Sequence, residues 1–551
     1  MKAYKQSKEV YCEAWRQYLD GRDYKRRIGL FETVRENERF YRGDQWKGVD
    51  SGGLPTPVFN VIGRIVGYLV NSVVSYQINV SYSDASLPYL PVSADSKKVQ
   101  SYLSSLNRYL VSRWDKYKMP SLIRDAVLDA AISGDGVLYT YWDDSAGTGQ
   151  LYSGDFRTIT VDNSNVFVSD MNVADIQSQD YIILSGRTEV DKLRREAREH
   201  GVPEDEIRRI RADSDTHEQS GDMSDYENSD LSAQKTTYII RFRRNKDGFV
   251  VWEKCTENVV IRSEVTTMTL YPVCYFNWSK TKNSFHGTSP ITPIIGNQKY
   301  INKAYAMAMK HMTDTAFSKV IYDKKLIPEW TNEVGQAIGV VSGGDVENVA
   351  KVLDTGKMEE EYLSVIDRVV QYTKDMSGAT EVALGEADPT NTSAIIALRE
   401  AAEMPLDAIR RNLYRCIEDL AMIWFEMMCE YYTDGRLVDY VDSYGDEDVI
   451  GKVTAGNGKH KVRTASIDFQ RLKQDLICAQ VESGTSKRYS EVTLLNILDT
   501  LLKSGNITFV QYLERLPEGI ITDRAGLIGE AKKNMTASIT DGDAVKEGAN
   551  G

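Results

Sequence analysis

The residues of this chain whose types could support catalysis are two short runs of carboxylates and one glycine-rich stretch. Glu359–Glu361 and the turn Asp446–Asp448 carry the side chains that hold paired metal ions in nucleases. Residues 339–351, GVVSGGDVENVAK, lack the G-x-x-x-x-G-K-[ST] spacing that cradles a nucleotide phosphate. The sequence has no G-x-S-x-G nucleophile motif and no H-E-x-x-H zinc motif. Solvated charge is the simpler interpretation of both carboxylate runs, and we expect that the protein is not an enzyme.

Cysteine and histidine are too widely spaced to predict a metal centre. The five histidines are far apart in the sequence, and no two cysteines form a C-x-x-C pair. We expect scattered, reduced and mostly buried thiols, and neither a metal nor another cofactor. The six cysteines are Cys12, Cys255, Cys274, Cys416, Cys429 and Cys478.

Composition predicts a protein that is made and kept in the cytosol. The chain has 551 residues, of which 42 % are hydrophobic and 27 % charged. No uncharged apolar run approaches the length of a membrane span, and the first residues show no hydrophobic signal core. The net charge of −13 argues against strong phosphate binding over the whole surface. It still permits a ring that surrounds DNA without gripping it.

Residues 357–432 predict two helices joined by an irregular loop. Apolar residues recur at helical spacing over Lys357–Met376 and again from Ile395 to Tyr431. The segment between them, SGATEVALGEADPTNTS (residues 377–393), contains helix breakers. A second helix unbroken from 393 to 432 would be about 60 Å long, and Pro405 inside it predicts a kink. Helices of this length suggest a large assembly.

The rest of the chain predicts an α+β fold that is predominantly α-helical. The first part has charged helices over 5–42 broken near Gly21, a loop to residue 60, a buried helix passing into a strand near 77–81, and two helices over 96–133. Strands follow to about residue 278, interrupted by a polar loop at 211–235. The last part has strands over 436–469, short helices over 470–535 and a disordered tail.

This order of elements resembles the portal, or head-to-tail connector, proteins of tailed bacteriophages. Three stretches carry the resemblance: residues 38–73, which begin ERFYRGDQW; residues 285–302, FHGTSPITPIIGNQKYIN; and residues 376–413, which begin MSGATEVALGEADPTNTS. Each motif is loose, but their joint order covers about residues 30–530. The resemblance implies long helices that line a central channel in a ring, usually of twelve subunits.

The resemblance also implies a division of the chain into the parts of a portal subunit. These are a wing (1–285), a stem helix (286–317), a clip (318–355), a second stem helix (356–376), a tunnel loop (377–393), a long wing and tunnel helix (394–432), wing strands (433–469), a crown (470–535) and a disordered tail (536–551).

The implied function is that of a conduit for double-stranded DNA at one capsid vertex of the virion, assembled in the host cytoplasm. DNA would touch the tunnel loop weakly and without sequence preference through Thr380, Glu381, Glu386, Asp388, Thr390, Asn391 and Thr392. The terminase large subunit and later the head-tail adaptors would bind the clip through Lys319, Lys324, Lys325, Leu326, Ile327 and Trp330. Major capsid and scaffolding proteins are further implied partners, and no membrane is involved.

Two other classes of protein remain open at this point. One is another protein of a capsid operon, such as a head-maturation protease or a nuclease. The other is a non-viral oligomeric scaffold. Particle size separates them, because a ring would have a mass of several hundred kilodaltons and an enzyme monomer a mass near 62.2 kDa.

Overall fold

The structure is a computed structural model. It describes residues 2–76, 78–84, 94–147, 153–213, 234–316, 320–325, 327, 350–352, 360–379, 404–432, 437–442, 451–452, 462–466, 469–473, 477–483, 498–504, 506–516 and 527. The chain forms a large compact unit, Met1–Val74 with Val80–Val481, and a small one, Ser75–Asn79 with Glu482–Gly551. The fold is α+β.

Helices dominate the first part of the large unit. They are α1 (Lys2–Arg27), α2 (Leu30–Arg42), α3 (Val61–Val73), α4 (Ala94–Lys116) and α5 (Met119–Ser133). Strand β1 (Ile78–Asp84) follows α3 and pairs with β15 (Ile477–Ser483), far along the chain. Helix α3 buries an apolar face that includes Ile62, Ile65 and Leu69, as its 3.6-residue periodicity predicts.

Two antiparallel sheets form the centre of the large unit. The three-stranded sheet has the order β3-β2-β9, with β2 at Asp135–Gly147, β3 at Ser153–Thr160 and β9 at Val273–Asn277. The five-stranded sheet has the order β4-β5-β6-β7-β8. Its strands are β4 (Val166–Val168), β5 (Tyr181–Glu189), β6 (Lys235–Arg244), β7 (Val250–Cys255) and β8 (Val260–Val265), with α6 (Val190–Glu199) and α7 (Glu204–Ile207) after β5.

The five-stranded sheet is buried on both faces. On one face Ile183 and Ile239 pack against Tyr18 of α1. On the other, Ile182 and Phe242 belong to a core cluster that also contains residues of the three-stranded sheet. The pairing register explains why Ile182 and Phe242 share one face while Ile183 lies on the other. Ile182 pairs with Phe242, and successive side chains of a strand point to opposite faces.

The remaining elements of the large unit follow β9. They are α8 (Ile295–Ala316), preceded by a 3-10 turn at Thr292–Ile294, then β10 (Val320–Tyr322), β11 (Ala350–Val352), α9 (Glu360–Met376), α10 (Asp407–Tyr431), β12 (Leu437–Asp442), β13 (Gly451–Lys452), β14 (Val462–Ser466) and α11 (Phe469–Leu472). The small unit contains a helix at residues 498–503 and α12 (Phe509–Arg515), which begins with a capping box at Thr508.

Most predicted elements are confirmed, but the break expected near Gly21 is wrong. Helix α1 runs through Gly21 to Arg27, and the chain turns at Gly29, whose φ is +68°. A Cβ on Gly21 would lie 3.0 Å from Cδ1 of Phe167. Gly21 therefore permits close packing of α1 on β4 rather than breaking the helix.

The kink expected at Pro405 coincides with a 3-10 turn, Met404–Leu406, directly before α10, and residues 393–403 of the predicted long helix lie outside the described residues. Proline lacks the N–H of a helix interior, so it is tolerated in this first turn. The segment 286–317 becomes helical only at residue 292. The region 470–535, predicted as helices only, includes strand β15. Most of the polar loop 211–235 and the whole of the tail 536–551 lie outside the described residues.

Candidate functional site

The predicted tunnel loop, residues 377–393, is described only at its first three residues. All seven predicted site residues lie outside the described part of the chain: Thr380, Glu381, Glu386, Asp388, Thr390, Asn391 and Thr392. Of the two carboxylate runs considered above, Glu360 and Glu361 lie in the first turn of α9, whereas Glu359 and Asp446–Asp448 are not among the described residues.

The start of the loop is a fixed helix terminus. Gly378 has φ of +77°, and its N–H donates to Asp375 O at 3.1 Å. The N–H of Ala379, which is fully buried, donates to Lys374 O at 3.0 Å. These two bonds form a Schellman motif, which satisfies the last carbonyls of a helix and turns the chain away from it. The loop therefore leaves α9 in a defined direction.

The predicted clip residues are only partly described. Lys324 and Lys325 are exposed in a turn where Lys325 N–H donates to Asp323 Oδ1 at 2.8 Å, and Ile327 is buried. Lys319, Leu326 and Trp330 lie outside the described residues. The turn follows an antiparallel ribbon in which Val320 pairs with Val352. A two-stranded ribbon is marginally stable alone, so packing against other parts of the assembly would support it.

Helices α8 and α9 pack side by side next to these two regions. Asn297 Nδ2 donates to Thr373 Oγ1 at 3.1 Å, and Thr373 Oγ1 donates to Val369 O at 2.7 Å. Thr373 is fully buried, as are Ile301 and Ala308 on the same face of α8 as Asn297. The paired strands Val320–Tyr322 and Ala350–Val352 lie between the carboxyl end of α8 and the amino end of α9 in the chain. The two helices therefore run antiparallel.

The α8/α9 pair also exposes large apolar side chains. Tyr372 is 64 % and Met376 78 % exposed. The others are Leu363 and Val365 on α9 and Tyr300, Met307 and Met312 on α8. Exposed apolar residues that share one helix face commonly mark a protein contact surface.

A buried polar cluster precedes α8 and was not predicted from the sequence. The carboxylate of Asp135 is fully buried and accepts four hydrogen bonds from three segments of chain. Its donors are His286 Nδ1 (2.8 Å), Gly287 N (2.7 Å), Asn277 Nδ2 (2.9 Å) and Asn163 Nδ2 (3.1 Å). The backbone carbonyls of Asn163 and Val166 in turn accept from the buried Lys25 ammonium, the latter at 2.5 Å.

The cluster holds an ionised carboxylate beside a neutral histidine. Burial alone would raise the pKa of Asp135, but the hydrogen bonds from His286 and Gly287 hold it below its ordinary value. Burial lowers the pKa of His286 by more than the hydrogen bond to Asp135 raises it, and the charge of Lys25 lowers it further. His286 and Gly287 belong to the FHGTSP stretch, so the family resemblance was the one available signal for this cluster. The cluster anchors the chain that leads into α8.

Neither a metal centre nor a membrane span is found where the structure describes the chain. No group of three or more His, Cys, Asp or Glu residues there is arranged to hold a metal ion. No described helix is long and apolar enough to cross a membrane. Cys255, Cys274, Cys416, Cys429 and Cys478 are free thiols, and all but Cys478 are buried.

Comparison with known proteins gives one match. The sequence model of a protein family described as "Phage P22-like portal protein" matches residues 22–505, which is most of the chain. No curated protein matches the sequence.

Proposed function

The chain belongs to the phage P22-like portal protein family, and we propose that it forms a closed ring of twelve subunits at one vertex of the capsid. Portal proteins are structural proteins of the virion, so this chain serves in viral DNA packaging and in connecting head to tail. The observation that carries the proposal is the family match over residues 22–505.

The exposed apolar residues of α8 and α9 support a ring. A monomer would leave side chains such as Tyr372 and Met376 in water, and each would recover about 1.5–3 kcal/mol on full burial. A closed ring repeats one heterologous interface, so every subunit would bury the same surfaces.

Charge supports a channel through which DNA slides. Each phosphate held by Lys or Arg adds to the affinity of a DNA complex and to its dependence on salt. A net charge of −13 per subunit keeps such contacts few. DNA in the channel would then be contacted weakly and without sequence preference.

We assign the partners to two regions by their place in the chain. The clip, residues 318–355, would bind the terminase large subunit during packaging and the head-tail adaptors afterwards. The tunnel loop, residues 377–393, would contact DNA. The exposed Lys324 and Lys325 and the fixed start of the loop at Gly378 are the described features that support this assignment.

Negative-stain electron microscopy with light scattering tests the ring directly. We expect class averages of a toothed annulus and a mass of several hundred kilodaltons. A uniform species near 62.2 kDa across a range of protein concentrations and salt would contradict the proposal. The purified ring should also hydrolyse no ATP above a mock preparation, since the packaging energy would come from the separate terminase.

Trp330→Ala tests the clip assignment. We expect this variant to form rings of normal size and to bind terminase at least tenfold more weakly, because aromatic residues commonly dominate protein interfaces. Pull-down with purified terminase measures the binding, and Val265→Ala, at an exposed position of β8 outside the clip, is the control. Equal binding by wild type and the Trp330 variant would exclude this residue from the contact.

A further inference from the structure

Four exposed apolar residues of α8 and α9 lie on one side of the helix pair. Tyr300 and Met307 each precede a buried residue of α8, namely Ile301 and Ala308. On α9, Val365 precedes the buried Ile366 and Tyr372 precedes the buried Thr373 in the same way. Two packed antiparallel helices are related by a twofold axis normal to the plane that contains them. A residue one position before a facing residue on either helix therefore lies on the same side of this plane. The four residues therefore flank the seam between α8 and α9 on one exposed side of the pair, which we call the α8/α9 groove.

The four residues also match in height along the groove. The contact between Asn297 and Thr373 fixes which parts of the helices are level. Tyr300 is three residues after Asn297, and Tyr372 is one before Thr373. Met307 is ten residues after Asn297, and Val365 is eight before Thr373. At 1.5 Å per residue each pair is level to within about 3 Å. The groove thus has an aromatic end and an aliphatic end.

The opposite side of α8 carries the loop of residues 43–60. Phe59 N–H donates to Asn302 Oδ1 at 3.2 Å, Gln298 Nε2 donates to Phe59 O at 2.6 Å, and the Phe59 ring lies 4.1 Å from that of Tyr305. Tyr300 and Met307 follow Gln298 and Tyr305 by two residues each, which turns a helix by about 200°. The groove and the loop therefore lie on opposite sides of α8.

The loop is itself an ordered apolar surface. Trp46 Nε1 donates to Pro57 O at 2.8 Å, and Asn302 Nδ2 donates to Gln45 Oε1 at 2.6 Å. These bonds hold exposed Val49, Val58 and Phe59 in place. A pre-organised loop loses little conformational entropy when it binds.

We propose that, in the ring, the loop of residues 43–60 of one subunit docks in the α8/α9 groove of its neighbour. This rests on the ring proposed above. A heterologous interface needs two different complementary faces on each subunit, and the loop and the groove are two apolar faces that point in opposite directions. Charge agrees, because the loop exposes Asp50 and the α8 edge of the groove exposes Lys303, which has no ion-pair partner among the described residues.

Cross-linking of mixed rings tests the contact. Rings would be assembled from equal amounts of Val58→Cys and Met307→Cys subunits and treated with a short bismaleimide after their mass is measured. We expect a covalent dimer of one subunit of each kind, at least tenfold above wild-type rings, whose described thiols are buried or half-buried. Mixtures of Val111→Cys and Met307→Cys are the control, since Val111 is an exposed residue of α4 outside both faces.

The outcomes separate this inference from the proposed function. Rings of normal mass with no dimer above the control would overturn the inference and leave the ring intact. A monomeric protein would overturn both. In a parallel sample, chains that carry both Val58→Cys and Met307→Cys are treated in the same way. A cross-link within such a chain, with none between chains, would show that the loop reaches the groove of its own subunit, which also contradicts the inference.

Substitution of the groove gives a second test. Met307→Glu should lower the ratio of ring to monomer at least tenfold, because it places a charge in an apolar contact. Met312→Glu is the matched control, since Met312 is also exposed on α8 but lies about 140° around the helix from Met307. Equal ratios for the two variants would place the groove outside the subunit contact.

Discussion

The residues that need the most explanation are two buried charges, Lys25 and Asp135. Both side chains are buried, and no direct ion pair between the two is among the described contacts. Asn163 joins them, because its side chain donates to Asp135 and its carbonyl accepts from Lys25. Ionised groups out of water are tolerated only when hydrogen bonds replace their hydration. The cluster thereby ties α1, β2 and the start of the chain into α8 to one point.

Asp135→Ala should be among the most destabilising substitutions in the large unit. It leaves four buried donors without their acceptor, so we expect the free energy of unfolding to fall by about 3–5 kcal/mol. Urea denaturation followed by circular dichroism measures this. Asp191→Ala, at an exposed position of α6, should change stability by less than about 0.5 kcal/mol. Similar midpoints for the two variants would show that the cluster contributes nothing to stability.

Asp129 predicts a pH dependence with a defined sign. Burial and the nearby Asp162, Asp125 and Glu38 raise its pKa from 3.8 to about 7. A carboxyl whose pKa rises on folding stabilises the folded state when it is protonated. That contribution is complete below about pH 3.8 and is lost as the pH rises through about 7. Asp129→Asn should therefore stabilise the protein at about pH 8, by about 1–3 kcal/mol after allowance for partial exposure.

The gain from Asp129→Asn should shrink as the pH is lowered from about 8 to about 5, because Asp129 of the wild type is then protonated. Urea midpoints of both proteins at several pH values measure this difference. A stabilisation by Asp129→Asn that does not depend on pH would contradict the assigned pKa.

At the scale of elements, sequence patterns predicted what periodicity controls and missed what tertiary contacts control. The apolar period of α3 and the enrichment of β5 and β6 in β-branched and aromatic residues were enough to place them. Gly21 was misread because its use is a close approach to Phe167, which is distant in sequence. Strand β15 was missed because it forms by pairing with β1, several hundred residues earlier. The buried cluster was missed for the same reason, since its members come from five separated segments.

The end of α9 gives a test of a single element. Gly378 adopts a left-handed conformation, and a Cβ there would meet nothing within 4 Å. Gly378→Ala should therefore lower the free energy of unfolding by about 1 kcal/mol, which is the cost of placing a residue with a Cβ in the left-handed conformation. Gly378→Asn should cost less, since asparagine tolerates this conformation. Urea midpoints measure both, and a larger loss for Asn than for Ala would show that the Schellman motif does not set the helix end.

In the whole molecule, the end of α9 and the proposed ring together indicate how the subunits would contact DNA. The Schellman motif ends α9 at Gly378 and Ala379, so in a ring the predicted tunnel loop would begin at the same place in every subunit and could form a collar. The sequence of this loop, rich in Glu, Asp, Thr and Asn, would repel phosphates while offering weak hydrogen bonds. A collar of this kind could follow a sliding duplex without holding it. The groove and the loop of residues 43–60 involve other residues, so assembly should not depend on the collar.

Replacement of residues 382–391 by a Gly/Ser linker of equal length tests this separation. We expect rings of normal mass and thermal stability, because loops of this kind add little buried surface. We expect a several-fold loss of packaged or retained DNA, because the collar would no longer contact it. DNA per head, measured after nuclease treatment, gives the result, and Gly/Ser replacement of residues 222–231 in the polar insertion is the control. Heads that fill and hold DNA as well as the control would show that the loop is a passive hinge.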